Sequence, residues 1–222
     1  MPHRPNPQVA AVVEGRHGDA FAFLGMHKAS AGLFVRAMLP DAEAMAVVDA
    51  ATGTVVARAE KIHPDGFFVA GMPDRGEPFR YRLRVESGGR VHEFEDIYRF
   101  APVLGELDIH LLVEGNHHAS YQKLGAHAIV HEGVEGIGFA VWAPNARAVS
   151  VIGEFNGWDA RAHPLQARDR SGIWERFVAG VEIGMLYKYH VVSRHDGYEV
   201  DKADPFAVAT EVPPGTASMV WD

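Results

Sequence analysis

Phe139–Asp159 reads F-A-V-W-A-P-N-A-R-A-V-S-V-I-G-E-F-N-G-W-D. Two runs rich in β-branched and aromatic residues, Phe139–Trp142 and Val149–Ile152, flank Ala-Pro-Asn-Ala-Arg-Ala, which reads as strand, loop, strand. The second run leads into Asn156-Gly157, a dipeptide that tolerates positive φ and predicts a tight turn. Trp158 follows at once. A large flat ring on a turn is hard to bury completely, so it is either a rim residue of the core or a platform for a ligand.

The same grammar extends outward in both directions. Upstream, Leu33–Met38, Met45–Asp49, Thr54–Ala59, Gly66–Ala70, Phe79–Glu86 and Val91–Glu95 read as short strands, punctuated by Pro40-Asp41, Thr52-Gly53, Pro64-Asp65-Gly66, Pro73-Asp74 and Ser87-Gly88-Gly89. Downstream, Ile173–Val178, Leu186–Val192 and Met219–Trp221 continue the pattern. Val9–Val13 reads as an edge strand or a short helix, and His118–Leu124, with Asn116 before it and Gly125 after it, as a short capped helix. This pattern predicts an all-β chain of two tandem immunoglobulin-like β-sandwiches joined by a short helical linker. The expected boundaries are a tail over 1–15, a first sandwich over 16–114, a linker over 115–127 and a second sandwich over 128–222.

The two halves read as copies. Leu39-Pro40-Asp41-Ala42-Glu43-Ala44-Met45 lies over Ala143-Pro144-Asn145-Ala146-Arg147-Ala148-Val149 at an offset of 104. Phe79-Arg80-Tyr81 lies over Tyr187-Lys188-Tyr189, and Asp96 over Asp204, at an offset of 108. Loop insertion accounts for the drift, and self-similarity of this length indicates repeated architecture. Trp142, Trp158, Trp174 and Trp221 all fall in the second half, and the position matching Trp158 is Thr54. If the turn aromatic binds something, the second copy binds and the first does not.

Composition narrows the function. The 222 residues are 47% hydrophobic and 23% charged, enough for a substantial core. A formal net charge of −8 opposes a polyanionic partner, so neither nucleic acid nor an anionic membrane is expected. No run reaches the roughly 18 apolar residues of a transmembrane helix, and Met1–Gln8 has no apolar segment of the signal-peptide kind. With no cysteine, thiol catalysis is excluded, and the chain is expected in the cytoplasm.

No catalyst is nominated. His117, His118, His127 and His131 cluster without the spacing that sets two ligands on one helical face, so solvated loop histidines are expected and no metal or other cofactor. Glu93, Glu95 and Asp96, or Glu132 and Glu135, are near in sequence, which says nothing of a cleft. Strand alternation is more informative. Over Leu186–Val192 it sets Tyr187 and Tyr189 on one face and Lys188 and His190 on the other. Lys188 is either on an ordinary exposed face or a hydrogen-bond donor on a face that also bears Trp158. Sugar rings offer a C–H face that packs on flat aromatics and a hydroxyl rim that needs polar partners, and Trp158, Lys188 and Tyr198 would supply both.

The motif A-V-W-A-P-N-A-x-x-V-S-V-x-G-E-F-N-G-W, followed by G-I-W-E-x-F-V, Y-K-Y, D-G and K-A-D-P-F-A, closely resembles the amino-terminal region of bacterial glycogen (1,4-α-glucan) branching enzymes. The upstream segments A-F-L-G-M-H, H-E-F-E-D-I-Y-R-F, Y-Q-K-L-G-A-H and H-E-G-V-E-G match the longer members of that family. The resemblance covers nearly the whole chain after about residue 15. It implies an amino-terminal β-sandwich followed by a family-48 carbohydrate-binding module, with α-1,4-glucan as partner. It also implies glucan contacts from Trp158 and Lys188, a second platform near Tyr198, and Asn156 in the same turn. Asp204, Pro205 and Phe206 are expected as an interdomain contact. In that family a catalytic barrel of the α-amylase class follows, and this chain stops at Val220-Trp221-Asp222, about where the barrel begins. A piece of a longer enzyme, without branching activity of its own, is therefore expected. The alternative is that both sandwiches are structural and pack on the barrel without binding glucan, and a third reading gives the module a debranching or regulatory parent.

Overall fold

The computed structural model describes residues 6–14, 17, 19–30 and 32–221. The chain divides into two compact units at Arg99/Phe100. The first holds α1 (Pro7–Val13) and strands β1 (Gly25–Ala29), β2 (Gly32–Met38), β3 (Ala44–Asp49), β4 (Val55–Arg58), β5 (Glu60–His63), β6 (Phe67–Met72), β7 (Tyr81–Ser87) and β8 (Arg90–Glu95). They form two antiparallel sheets ordered β1-β2-β6-β5 and β4-β3-β7-β8. Strict alternation builds the core between them. Leu33, Val35 and Ala37 of β2, and Tyr81, Leu83 and Val85 of β7, point inward, while their neighbours are half-buried or exposed. Leu33, Val35, Leu83 and Val85, fully buried, each contribute about 1.5–3 kcal/mol of transfer free energy.

The second unit holds α2 (Glu106–Val113) and strands β9 (Gly125–His131), β10 (Val134–Trp142), β11 (Ala146–Gly153), β12 (Gln166–Ala167), β13 (Ile173–Ala179), β14 (Leu186–Ser193), β15 (Glu199–Lys202), β16 (Ala209–Thr210) and β17 (Ser218–Met219). Its sheets run β9-β10-β13-β12 and β11-β14-β17-β16, with β15 also paired to β14. Ile137, Phe139, Val151, Trp174, Tyr187 and Tyr189 fill the space between them. Both units are sandwiches, as the strand pattern predicts.

The helices differ from the expectation. His118–Leu124 makes only a single 3-10 turn at Ser120–Gln122, and the helix lies earlier, at Glu106–Val113. Glu106 and Asp108 in its first turn complement the helix dipole. It is not a linker helix, because Ile109 and Leu112 pack with Leu104, Leu124, Ala140 and Ile173 on the outer face of the β9-β10-β13 sheet. In the first unit, α1 does the same. Val9, Val12 and Val13 pack with Phe23, Leu24 and Phe67 on the outer face of β6, whose inner face carries Phe68. What reads as a tail therefore includes a packed helix.

The duplication is longer than the strand motifs suggest. Val13-Glu14-Gly15 recurs as Val113-Glu114-Gly115, and Leu24-Gly25-Met26-His27 as Leu124-Gly125-Ala126-His127, both at an offset of 100. His27 Nε2 donates to the Leu24 carbonyl at 2.8 Å, and His127 Nε2 to the Leu124 carbonyl at 3.0 Å. Gly25 and Gly125 both hold positive φ, +84° and +109°, and a Cβ on Gly25 would press on Tyr98 at 2.8 Å, while one on Gly125 would just touch Phe206 at 3.4 Å. The register of the later strands shifts the expected alignment by two residues. Asp49 faces Tyr81 and Gly153 faces Tyr187, so Tyr81 matches Tyr187 rather than Tyr189. The match to Lys188 is thus Arg82, which pairs with Glu93 at 3.0 Å.

Candidate functional site

The turn that follows β11 is built from its own side chains. Glu154–Asn156 forms a 3-10 turn, and positive φ falls on Gly157 (+61°) and Trp158 (+63°), one residue later than the Asn-Gly dipeptide predicts. Asn156 Oδ1 accepts the Gly153 N–H at 2.9 Å, and its Nδ2 donates to the Val151 carbonyl at 3.0 Å and to Nδ1 of His163 at 2.9 Å. The Trp158 N–H closes on the Gly153 carbonyl at 2.9 Å. A bulky residue at φ near +60° costs on the order of 1–3 kcal/mol and persists only where surrounding bonds over-determine it. Here they do, and the result divides the aromatics. Phe155 turns inward against Phe139 at 5.9 Å, while the Trp158 ring stays 41% exposed.

Lys188 lies opposite Ile152 in the β11–β14 ladder, and its neighbours Tyr187 and Tyr189 are buried in the core. Its Nζ donates to Thr216 Oγ1 at 2.7 Å. Nothing in the linear sequence connects residues 188 and 216; the pairing of Leu186 with Met219 and of Tyr187 with Ser218 does. Glu154 accepts the Leu186 N–H at 2.9 Å, tying the Trp158 turn to β14 two residues before Lys188. Trp158 and Lys188 are therefore held at one end of the ladder. Tyr198, 64% exposed, is at the other end, on the β14–β15 hairpin where the Ser193 N–H donates to its carbonyl at 2.8 Å. From Lys188 to Val192, which pairs with Glu199, the strand rises about 13 Å. The structure does not gather Tyr198 with Trp158.

Two sequence-derived roles need revision. Asn156 spends its amide inside the turn, so it positions Trp158 rather than facing a ligand. Asp204 is buried and cannot be an interdomain contact. Its Oδ2 accepts the Tyr187 hydroxyl at 2.7 Å and the Tyr189 hydroxyl at 3.3 Å, and its Oδ1 accepts the Phe206 N–H at 2.8 Å. Phe206 is half-buried against Leu104 and Leu124, and of the three residues only Pro205 is exposed. Trp174 packs in the core, its Nε1 donating to the Ala143 carbonyl at 3.1 Å.

Burial, then the nearby Arg176 guanidinium, pushes the His163 ring down to about 4. A folded-state pKa below the unfolded value means that the unfolded chain takes up the proton first, so stability is present above about pH 6.5 and is lost as pH falls towards 4. His163→Gln should flatten this slope in urea titrations followed from pH 7 to pH 4; an unchanged slope would rule out His163 as its source. Two of the histidines clustered in sequence around the α2–β9 connection are occupied locally. His117 contacts Asp108 at 3.2 Å, and His131 donates to the Ala101 carbonyl at 2.8 Å. Among the described residues no group of three or more His, Asp and Glu side chains is arranged to hold a metal. No helix among them is long and apolar enough to cross a membrane.

Each unit is an antiparallel β-sandwich, and the second carries an exposed tryptophan and a lysine at one end of a sheet, the form of a modular β-sandwich domain. The sequence matches in both halves. The family described as alpha-1,4-glucan branching enzyme GlgB, N-terminal domain, matches residues 5–98, and carbohydrate-binding module 48 (isoamylase N-terminal domain) matches residues 123–207. The chain belongs to the amino-terminal region of the 1,4-α-glucan branching enzyme family. It is 49% identical over 217 residues to the 1,4-alpha-glucan branching enzyme GlgB of Rhodospirillum rubrum, covering 96% of this chain and 29% of that protein. With its counterpart in Paramagnetospirillum magneticum the identity is 47% over 213 residues, covering 96% and 28%. Among solved structures, a pullulanase from Anoxybacillus sp. LM18-11 aligns with 90% of this chain and 26% of its own at 17% identity and a TM-score of 0.38.

Proposed function

We propose that the second unit binds α-1,4-glucan through Trp158 and Lys188, as the non-catalytic binding region of a branching enzyme. The observation that carries this reading is the Trp158 turn itself. A large ring is held outward at an unfavourable φ by the bonds of its own turn, beside a lysine already oriented by Thr216. The ring supplies a C–H platform, and the lysine's remaining N–H donors reach sugar hydroxyls. In the first unit the matching connection runs only from Ala50 to Thr54 without an aromatic, and Arg82 is spent on Glu93, so that unit serves as scaffold.

In the longer relatives, of which this chain spans under a third, the remaining length would carry the catalytic barrel and the chain transfer that makes α-1,6 branches. The present residues would raise the local concentration of glucan beside it. A cysteine-free chain suits the cytoplasm, where this reading places it. A single aromatic platform predicts a Kd on the order of 0.1–1 mM, about −4 to −5.5 kcal/mol. Affinity electrophoresis with and without glycogen tests the reading. The parent chain should be retarded, and Trp158→Ala should lose at least about tenfold in affinity, or about 1.4 kcal/mol. Equal migration of parent and variant in glycogen would sink it.

A further inference from the structure

A cavity of about 260 Å³ opens at the edge of the second sandwich, lined in part by Tyr121, Gln122, Ala126, His127, Phe206 and Trp221. Its lining shares no residue with the Trp158 turn. It takes Met219 of β17 and, from the core side, Tyr187 of β14, whereas Lys188 is on the other face of β14 and Trp158 follows β11.

The internal duplication supplies a control. At the offset of 100, Tyr121, Gln122 and Ala126 correspond to Phe21, Ala22 and Met26, and Phe206 corresponds to Tyr98 through the shared glycine contact. In the first unit this position is packed shut: Phe21 meets Tyr98 edge-on at 5.1 Å, and Met26 packs against the core. In the second unit methionine becomes alanine, which opens the space. Alanine becomes glutamine and phenylalanine becomes tyrosine, which add an amide and a hydroxyl to its rim. Tyr121 is 60% exposed and Trp221 52% exposed, against 1% or less for Tyr81, Tyr187 and Tyr189. A seam for apolar packing would have kept the first unit's residues. Opening the space while adding hydrogen-bonding groups beside exposed aromatic rings suits a hydroxylated ring of hexose size.

We infer that this cavity is a second carbohydrate subsite that takes one glucosyl ring between Tyr121 and Trp221, with Gln122 bonding its hydroxyls. It shares its ligand class with the proposed function but none of its residues. The four tryptophans give four indole N–H signals in a nitrogen-15 NMR spectrum, and maltotriose is the probe. In the Trp158→Ala variant the Trp221 indole should still shift with maltotriose. Adding Ala126→Met, the first unit's residue, should reduce that shift at least about fivefold at fixed ligand, corresponding to about 1 kcal/mol. Tyr121→Ala and Gln122→Ala, at exposed positions, should do the same where the methionine disturbs folding. A Trp221 indole that stays still at about 50 mM maltotriose, well above the millimolar range of weak sites, overturns the subsite. If only the Trp158 indole moves, the subsite falls and the proposed function stands. If only the Trp221 indole moves, the subsite stands and the Trp158 reading falls.

Discussion

Glu175→Ala is expected to destabilise the second unit by about 3–5 kcal/mol, the cost of removing one partner from a buried ion pair. Glu175 is 1% exposed, on β13. Its Oε2 accepts the N–H groups of Val103 and Leu104, both at 2.8 Å, and its Oε1 meets the Arg168 guanidinium. Arg168 in turn donates to the Leu104 carbonyl at 2.7 Å and to Glu106. This one carboxylate fastens residues 103–106, and through them α2, to the outer face of the sheet. Alanine would leave the Val103 and Leu104 N–H donors unpaired and strip the largely buried Arg168 guanidinium of its buried carboxylate, leaving it the Leu104 carbonyl and the exposed Glu106, and a domain has only about 5–15 kcal/mol in hand. Because all four tryptophans lie in the second unit, urea unfolding followed by tryptophan emission reports that unit alone. Glu175→Gln keeps the shape and one acceptor and should lose less. A midpoint for the alanine variant within about 1 kcal/mol of the parent would mean that the clamp contributes little.

How far the sequence discloses all this depends on the range of the interaction. Alternation in β2, β7 and β14 follows from a period of two and is visible in the residues themselves, as is the duplication that sets Pro40 over Pro144. The short strands β5, β12 and β16 carry no such signal, since they exist only because a neighbour offers a ladder. The position of the helix is hidden for a related reason. Glu106–Val113 shows no sharp apolar stripe, and what makes it a helix is the surface of Leu124, Ala140 and Ile173 onto which it packs. At the site, Trp158 is conspicuous because an aromatic after Asn-Gly contradicts ordinary turn composition. Thr216 is invisible, because a threonine near Pro213-Pro214-Gly215 has no local reason to meet a lysine 28 positions earlier. Asp204 misled in the opposite direction. Its motif suggests a surface contact, and only the Tyr187 hydroxyl reveals a buried polar anchor, repeated in the first unit as Tyr81 on Asp96.

That anchor makes a prediction with a definite sign. Burial holds the Asp204 carboxyl above the usual carboxylate range, opposed by the hydroxyls of Tyr187 and Tyr189 and by the Phe206 N–H. A raised folded-state pKa means that the native state keeps its proton where the unfolded chain has lost it. The contribution is therefore fully present below the unfolded pKa and is lost as pH rises through the folded one. Asp204→Asn removes this titration yet keeps an oxygen for the Phe206 N–H and an amide to which the Tyr187 hydroxyl can turn as acceptor. Relative to the parent, Asp204→Asn should therefore gain stability as pH rises from the acid range towards 7. Asp204→Ala, which strands the Phe206 N–H and leaves the Tyr187 hydroxyl without its acceptor, should lose about 2–4 kcal/mol in the acid range, and that loss should shrink with rising pH by the same amount. His163 acts on the parent with the opposite slope, but it is present in all three chains and cancels in the difference. A parent-minus-asparagine difference that stays flat with pH would show that Asp204 titrates alike in the folded and unfolded chain. A difference that grows in the parent's favour would show instead that the tyrosine hydroxyls hold the carboxylate ionised inside the core.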